Sequence, residues 1–154
     1  MKTRINVARI APPGAYKAMM GVQQYVDACG LERSLLDLAL VRVSQINGCA
    51  YCIDLHTKDA RAHGESERRL YELDAWRESP FYTDRERAAL AWTEAVTQIT
   101  IGHVPDEVFA QAHEQFSDTE LINLTIAVTL INSWNRISIA FRRPPEEPEL
   151  DLAA

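Results

Sequence analysis

No stretch of this chain long enough to cross a bilayer as a helix, about 18 residues, is free of polar groups, so no membrane span is expected. A basic excess is also lacking. Sixteen Lys and Arg stand against 22 Asp and Glu, a formal net charge of −6. Phosphate binding needs a basic face, so nucleic acid is not an expected partner. The opening Met1-Lys-Thr-Arg-Ile-Asn6 has none of the apolar core that a signal peptide carries. Cysteine is scarce: three residues do not make a disulfide framework, and a reducing cytoplasm is the expected compartment. No segment alternates apolar and polar residues convincingly enough to be read as a strand.

What is present is ordinary in amount and helical in pattern. The 154 residues, 47% hydrophobic and 25% charged, suit one domain with one well-formed core. The reading is all-α, with a single multi-helical domain over 1–145 and an acidic tail over 146–154. Ala15, Met19, Val22, Val26 and Cys29 recur at helical spacings and form one apolar stripe, closed by Gly30. Cys29, at the end of that stripe, reads as core. Leu35 to Val43 is apolar nearly all round, with Asp37 its single carboxylate, which predicts a buried helix. Ser66 caps a short helix through Leu73, and a loop follows around Ser79-Pro80. Thr83 with Glu86, and Ser117 with Glu120, match the capping box. The first opens a helix with the stripe Ala88, Ala91, Ala95 and Ile99, ending near Gly102. The second opens a long apolar helix to about Phe141, which Pro144-Pro145 forbids from extending. Between them, Pro105 starts a helix that runs to about Gln115.

The chemistry concentrates in Cys49-Ala-Tyr-Cys52-Ile-Asp-Leu-His56. Spacings of three and four bring side chains to one face of a helix, so Cys49, Cys52 and His56 form one line of reactive groups. Asn47-Gly48 is a helix stop, and a helix restarting at Cys49 would run to His63 with Gly64 as its end. Its N-terminal partial charge favours a thiolate. A free thiol pKa of about 8.5 falls to roughly 3.5–7.5 in such settings, and the thiolate is the nucleophile. This favours redox chemistry at sulfur. A zinc reading would count Cys49, Cys52, His56 and His63 as four ligands, but all lie on one helix, which cannot wrap a tetrahedron. No metal and no cofactor are expected.

A short internal echo is also visible. Val43-Ser-Gln-Ile-Asn-Gly48 resembles Val128-Thr-Leu-Ile-Asn-Ser133, which suggests two related helical units, only the first carrying thiols.

The run Arg42-Val-Ser-Gln-Ile-Asn-Gly-Cys-Ala-Tyr-Cys-Ile-Asp-Leu-His56 closely resembles the alkylhydroperoxidase D-like branch of the carboxymuconolactone decarboxylase superfamily. The likeness continues through Thr57–Gly64, Ala91–Val96 and Asn132–Arg136. The resemblance implies an all-helical fold assembled as a trimer or hexamer. It implies an antioxidant thiol peroxidase without metal or haem, reduced by an external dithiol, of lipoyl type in the family prototype. Carried over by position, Cys52 is the attacking thiol, Cys49 the resolving thiol and His56 the relay base. The family's upstream acid, twelve residues before the first cysteine, falls on Asp37.

Two positions depart from that pattern. The acid is an aspartate where the family has glutamate, one methylene shorter. Tyr51 stands where the family has histidine, and a phenol does not replace an imidazole as a base near neutral pH.

Bland readings stand beside these. His56 alone could be a core histidine bonded to a carbonyl, and Asp37 a surface residue. If Asp37 is buried it needs a partner, and Arg42 and Arg136 are the candidates. His63 and His113 read as solvated, and His103 as a loop residue. Tyr51 either donates a hydrogen bond to a peroxide or packs. Trp134 and Arg136 interrupt the last apolar helix and are candidate site-lining residues, with structural pairing the leading reading. Two other functions fit the chain: a carboxymuconolactone-type decarboxylase, whose members generally lack the thiol pair, and a non-catalytic thiol redox sensor.

Overall fold

The computed structural model of the chain describes residues 2–145, so the acidic tail expected over 146–154 lies outside the described residues. Eight α-helices follow one another, with no strand among the described residues: α1 Val7–Ile10, α2 Pro13–Asp27, α3 Arg33–Asn47, α4 Ala50–Ala62, α5 Glu67–Glu72, α6 Asp84–Thr97, α7 Asp106–Gln115 and α8 Asp118–Phe141. The boundaries follow local chemistry. Ser66 accepts a hydrogen bond from the backbone N–H of Arg69. Thr83 with Glu86, and Ser117 with Glu120, make both halves of the capping box at α6 and α8. Gly48, at φ 67°, closes α3 in the left-handed conformation.

Helix α3 lies at the centre, against α4, α6 and α8. It has no solvent face over most of its length, which is why Leu35–Val43 reads as apolar all round. On one side Leu35, Leu36, Ala39 and Val43 join Leu124, Val128 and Ile131 of α8 with Trp92 of α6. On the other, Leu38 and Val41 meet Ala60 of α4, Leu70, Leu73, Trp76 and Leu90. Each fully buried leucine removes enough apolar surface to contribute roughly 1.5–3 kcal/mol.

Three expectations are corrected. The α6 stripe does not include Ile99: α6 ends at Thr97, and Ile99 is exposed in the turn beyond. The helix from Ser66 gives way at Leu73 to a short 3-10 turn, Leu73–Ala75. The apolar stripe of α2 buries only Val26 fully, with Met19 and Cys29 packed partly against the core and Val22 exposed. The short helix α1 carries no stripe and was not anticipated; Asn6 caps it through the N–H of Arg9.

The two segments of the internal echo sit together. Helices α3 and α8 begin at Arg33 and Asp118, a separation of 118 − 33 = 85, and Asn47 donates to Asn132 at the same offset, 2.9 Å.

Candidate active site

The α3–α4 elbow builds the site. The Gly48 N–H closes α3 on the carbonyls of Gln45 and Ser44, and the Cys49 N–H donates to Ser44 O at 3.0 Å. The end of α3 is pinned to α8 by amides: Asn47 Nδ2 donates to Asn132 Oδ1 and Asn135 Oδ1, each at 2.9 Å. The fully buried Asn135 then donates to Ser44 Oγ at 3.3 Å. Sequence spacing put Cys49 inside the first turn; the structure makes it the N-cap of α4, extended at φ −87° and ψ 93°. Its sulfur accepts from the Cys52 N–H at 3.4 Å. The Cys49 and Cys52 sulfurs lie at bonding distance, with Cα atoms 5.3 Å apart, inside the usual disulfide range. Cys52 occupies the first turn of α4, where the helix dipole favours a thiolate once the bond is open.

A cavity of about 350 Å³ opens on the Cys52 side. Cys52, Tyr51, Leu55, His56 and Asp59 of α4 form one wall; Cys49 is not among the lining residues. Tyr16, Met20, Gln23 and Asp27 of α2, Arg33 of α3, and Trp134, Ser138 and Arg143 complete it. Tyr51 and Trp134 thus line the site as candidates, whereas Arg136 does not. Arg136 is held on the outer side of α8, donating to Asn132 O at 2.9 Å and Asn132 Oδ1 at 2.7 Å.

His56 is mostly buried. That burial holds its imidazole below the ordinary range, outweighing the upward pull of the Asp59 and Asp37 carboxylates, while Arg33 adds to the fall. The nearest carboxylate oxygen, Asp59 Oδ2, is 3.9 Å from His56 Nδ1. A neutral imidazole beside a thiol can take its proton.

Asp37 is only 2% exposed, and its partners are neither Arg42 nor Arg136. Arg33 Nε donates to Oδ1 at 3.0 Å, and His63 Nδ1 lies 2.7 Å from Oδ2. Arg33 also pairs with Asp27 at 3.2 Å. Arg42 is turned to Glu94 at 2.8 Å and to Asp74. His63 is exposed, as expected, its side chain 41% accessible, and it also anchors the buried Asp37 carboxylate, a contact the sequence reading did not include. His113 is on the surface beside Asp118, and His103 is in a loop at φ 56°.

Arg143, Arg33, Asp59 and Tyr16 were not found from sequence. Asp59 is one helical turn from His56, and Arg33 one turn from Asp37, so spacing could have shown both. Arg143 lies past the end of α8, and its guanidinium sits 3.7 Å above the Tyr51 ring. Nothing local to either residue signals that contact.

A model of the carboxymuconolactone decarboxylase family matches residues 13–95, from the start of α2 almost to the end of α6. The uncharacterised Bacillus subtilis protein YdfG is 44% identical over 140 residues, 91% of this chain and 95% of YdfG. The crystal structure of an Agrobacterium tumefaciens protein of unknown function, ascribed to AhpD antioxidant defence, is 45% identical. It superposes with a TM-score of 0.91 over 95% of this chain and 99% of that one. The debrominase Bmp8 shares the fold at a TM-score of 0.79 and 23% identity, over 87% of this chain and 72% of its own.

Proposed function

The chain belongs to the carboxymuconolactone decarboxylase family, in its alkylhydroperoxidase D-like branch, and from that premise we propose that it is a thiol-dependent peroxidase. The observation that carries this reading is the wall of the cavity: Cys52 and His56 line it, and Cys49 stands behind, within bonding distance of Cys52.

The Cys52 thiolate, its proton taken by His56, attacks the outer oxygen of a hydroperoxide. The O–O bond breaks, the leaving alkoxide takes a proton and departs as an alcohol (or water), and Cys52 is left as a sulfenic acid. The Cys49 thiol then condenses with it, forming the disulfide and releasing water. An external dithiol, for which a lipoyl group is the proposed type, reopens the disulfide and is itself oxidised to a disulfide. The charge of Asp37 acts on His56 through space, since its oxygens are bonded to Arg33 and His63.

We take the protein to work as a trimer or hexamer in the cytoplasm. An apolar groove of about 620 Å³ between α2 and α8, with Val22, Ile126 and Leu130 on its walls, supports assembly. Among the described residues no helix is long and apolar enough to cross a membrane.

The test is steady-state consumption of hydrogen peroxide and organic hydroperoxides with a panel of dithiols including dihydrolipoamide. Turnover with at least one dithiol, lost in Cys52→Ser, is expected. Reversible disulfide formation without turnover would instead make the protein a redox sensor. Loss of carbon dioxide from a carboxymuconolactone would make it a decarboxylase despite its thiol pair.

A further inference from the structure

The thiol cavity runs along α4, and its charges are divided between its two ends. Tyr51 and Cys52 stand in the first turn of the helix, His56 one turn on, and Asp59 one turn beyond that. At a rise of about 1.5 Å per residue, Tyr51 and Asp59 are about 12 Å apart along the axis. Arg33 belongs to the Asp59 end, because it bonds Asp37, whose other partner is His63 at the close of α4. Its charge is taken up there by Asp37 and Asp27. The remote end thus holds both lining carboxylates, Asp27 and Asp59, and a cation already paired. The end at Cys52 holds Arg143, which pairs with no carboxylate among the described residues.

The local backbone delivers Arg143 to that place. Helix α8 stops at Phe141, and Arg142 takes the left-handed conformation, φ 55° and ψ 52°. A side chain there is unfavourable, and the turn it makes is closed by the Arg143 N–H, which donates to Ser138 O at 2.9 Å. Ser138 is itself buried and lines the cavity. Pro144 then disfavours a helical backbone at Arg143. The chain is turned back onto α4, and the guanidinium comes to rest 3.7 Å above the Tyr51 ring. A guanidinium stacked by its face keeps its N–H donors in its own plane, in the fork that matches a carboxylate. Arg143 is exposed, so an incoming molecule can reach those donors.

We propose that Arg143, seated on the Tyr51 ring, is an anion-binding group of the thiol cavity, and that it selects, among the molecules that reach Cys52, those that carry a carboxylate. The identity of those molecules, a hydroperoxide or a dithiol, rests on the peroxidase reading above. The whole chain carries a net charge of −6, which repels an anion at long range, so the attraction is local to this end of the cavity. Asp27 and Asp59 repel a carboxylate from the other end, which fixes the direction in which it lies.

The experiment alkylates Cys52 in reduced Cys49→Ser protein with iodoacetate and with iodoacetamide, read by mass on the peptide containing residue 52. Both reagents react with the same thiolate, so their rate ratio cancels the thiolate fraction and reports the charge met by the incoming anion. The iodoacetate preference should fall about threefold in Arg143→Gln, the Coulomb effect of one unit charge at about 6 Å in water. It should fall likewise in Tyr51→Leu, which removes the ring, and be kept in Tyr51→Phe, which retains it. At about 1 M salt, where the Debye length is about 3 Å, the variants should converge. Two matched pairs then name the natural source of the carboxylate: dihydrolipoate against dihydrolipoamide, and 3-hydroperoxy-3-methylbutanoate against tert-butyl hydroperoxide. In the pair that matters, the charged member should lose kcat/KM in Arg143→Gln relative to the neutral one.

An alkylation ratio unmoved by Arg143→Gln would overturn the proposal, and loss of the ratio in Tyr51→Phe would overturn the seating on the ring. A fall in the ratio with neither charged reactant losing its preference would overturn the selection of a carboxylate. Glu146 and Glu147 follow closely in the sequence. An iodoacetate preference that appears only when the chain is ended at Pro145 would overturn the proposal in their favour as the partners of Arg143. The expected alkylation ratios in a protein that turns over no peroxide would support the anion site and overturn the peroxidase reading alone.

Discussion

Asp37 meets His63, two helical turns along α4 from His56, with Nδ1 of the imidazole 2.7 Å from the carboxylate. The carboxylate is buried, while the side chains of both its partners, His63 and Arg33, are 41% exposed. The charge of Asp37 is therefore fixed by two partly exposed partners and acts on His56 through space. A direct Asp37–His56 hydrogen bond is not formed, and any influence of Asp37 on the thiols passes through its field on His56 and through Arg33, which lines the thiol cavity.

That arrangement makes Asp37→Asn informative. The substitution removes a negative charge that raises the His56 pKa, so the His56 titration should move still lower, as read from its ring proton shifts against pH. It also replaces one acceptor by a donor facing Arg33 or His63. The stability cost should be about 1–3 kcal/mol, measured as a lower urea midpoint at unchanged slope. A His56 titration that stays in place would remove Asp37 from any electrostatic role at the site.

His56 itself predicts a pH dependence of stability. Its folded pKa lies below the ordinary 6.5 because burial disfavours the imidazolium, so the unfolded chain binds a proton that the folded chain resists. With more protons bound in the unfolded state, stability rises with pH. The contribution is complete above 6.5 and is lost as the pH falls through that value toward the folded pKa. Urea midpoints taken at about pH 7.5 and about pH 5.5 should therefore differ more for the natural chain than for His56→Gln. Equal differences would mean that His56 is solvated in both states.

Much of the fold was legible because its signals are local. The capping boxes at Thr83 and Ser117, the stop at Gly48 and the all-apolar run of α3 each lie within a few residues of what they determine. The thiol pair and His56 were legible for the same reason. The partner of Asp37 was not. His56 and His63 are seven residues apart on one helix, so both face the same way, and spacing does not choose between them. Arg143 over Tyr51 joins positions more than ninety residues apart, and Tyr16 reaches the site from the first long helix. Such contacts are set by the packing of α2, α4 and α8, which no periodicity in a single segment encodes. Arg136 shows the converse. It is embedded in a segment with family likeness, but the rotation of α8 turns it outward onto Asn132.

The elbow that presents Cys49 depends on Gly48. Its φ of 67° is in the left-handed region, and a Cβ there meets no atom within 4 Å. The cost of Gly48→Ala is then backbone strain alone, about 1–2 kcal/mol, and Gly48→Asn should cost less because asparagine tolerates this conformation. Thermal unfolding gives both values. A larger loss for asparagine than for alanine would show that side-chain space, and not backbone conformation, limits the position.

The two thiols should fail in different ways, because only Cys52 forms part of the cavity wall. Cys52→Ser leaves no nucleophile facing the peroxide and should abolish reaction with it. Cys49→Ser keeps that nucleophile but removes the group that condenses with its sulfenic acid. One equivalent of peroxide should then leave a sulfenic acid on Cys52 that dimedone traps, visible as a mass increase on the peptide containing residue 52. Catalytic turnover with a dithiol should fall sharply in both variants, so turnover alone does not separate the roles; the trapped adduct does. In the unsubstituted chain, oxidation should instead yield the Cys49–Cys52 disulfide and little dimedone adduct, since condensation within the first turn of α4 outruns trapping. Dimedone labelling of Cys49 in Cys52→Ser, with none on Cys52 in Cys49→Ser, would reverse the assignment. It would also require the peroxide to reach Cys49, which is 1% exposed and does not line the cavity.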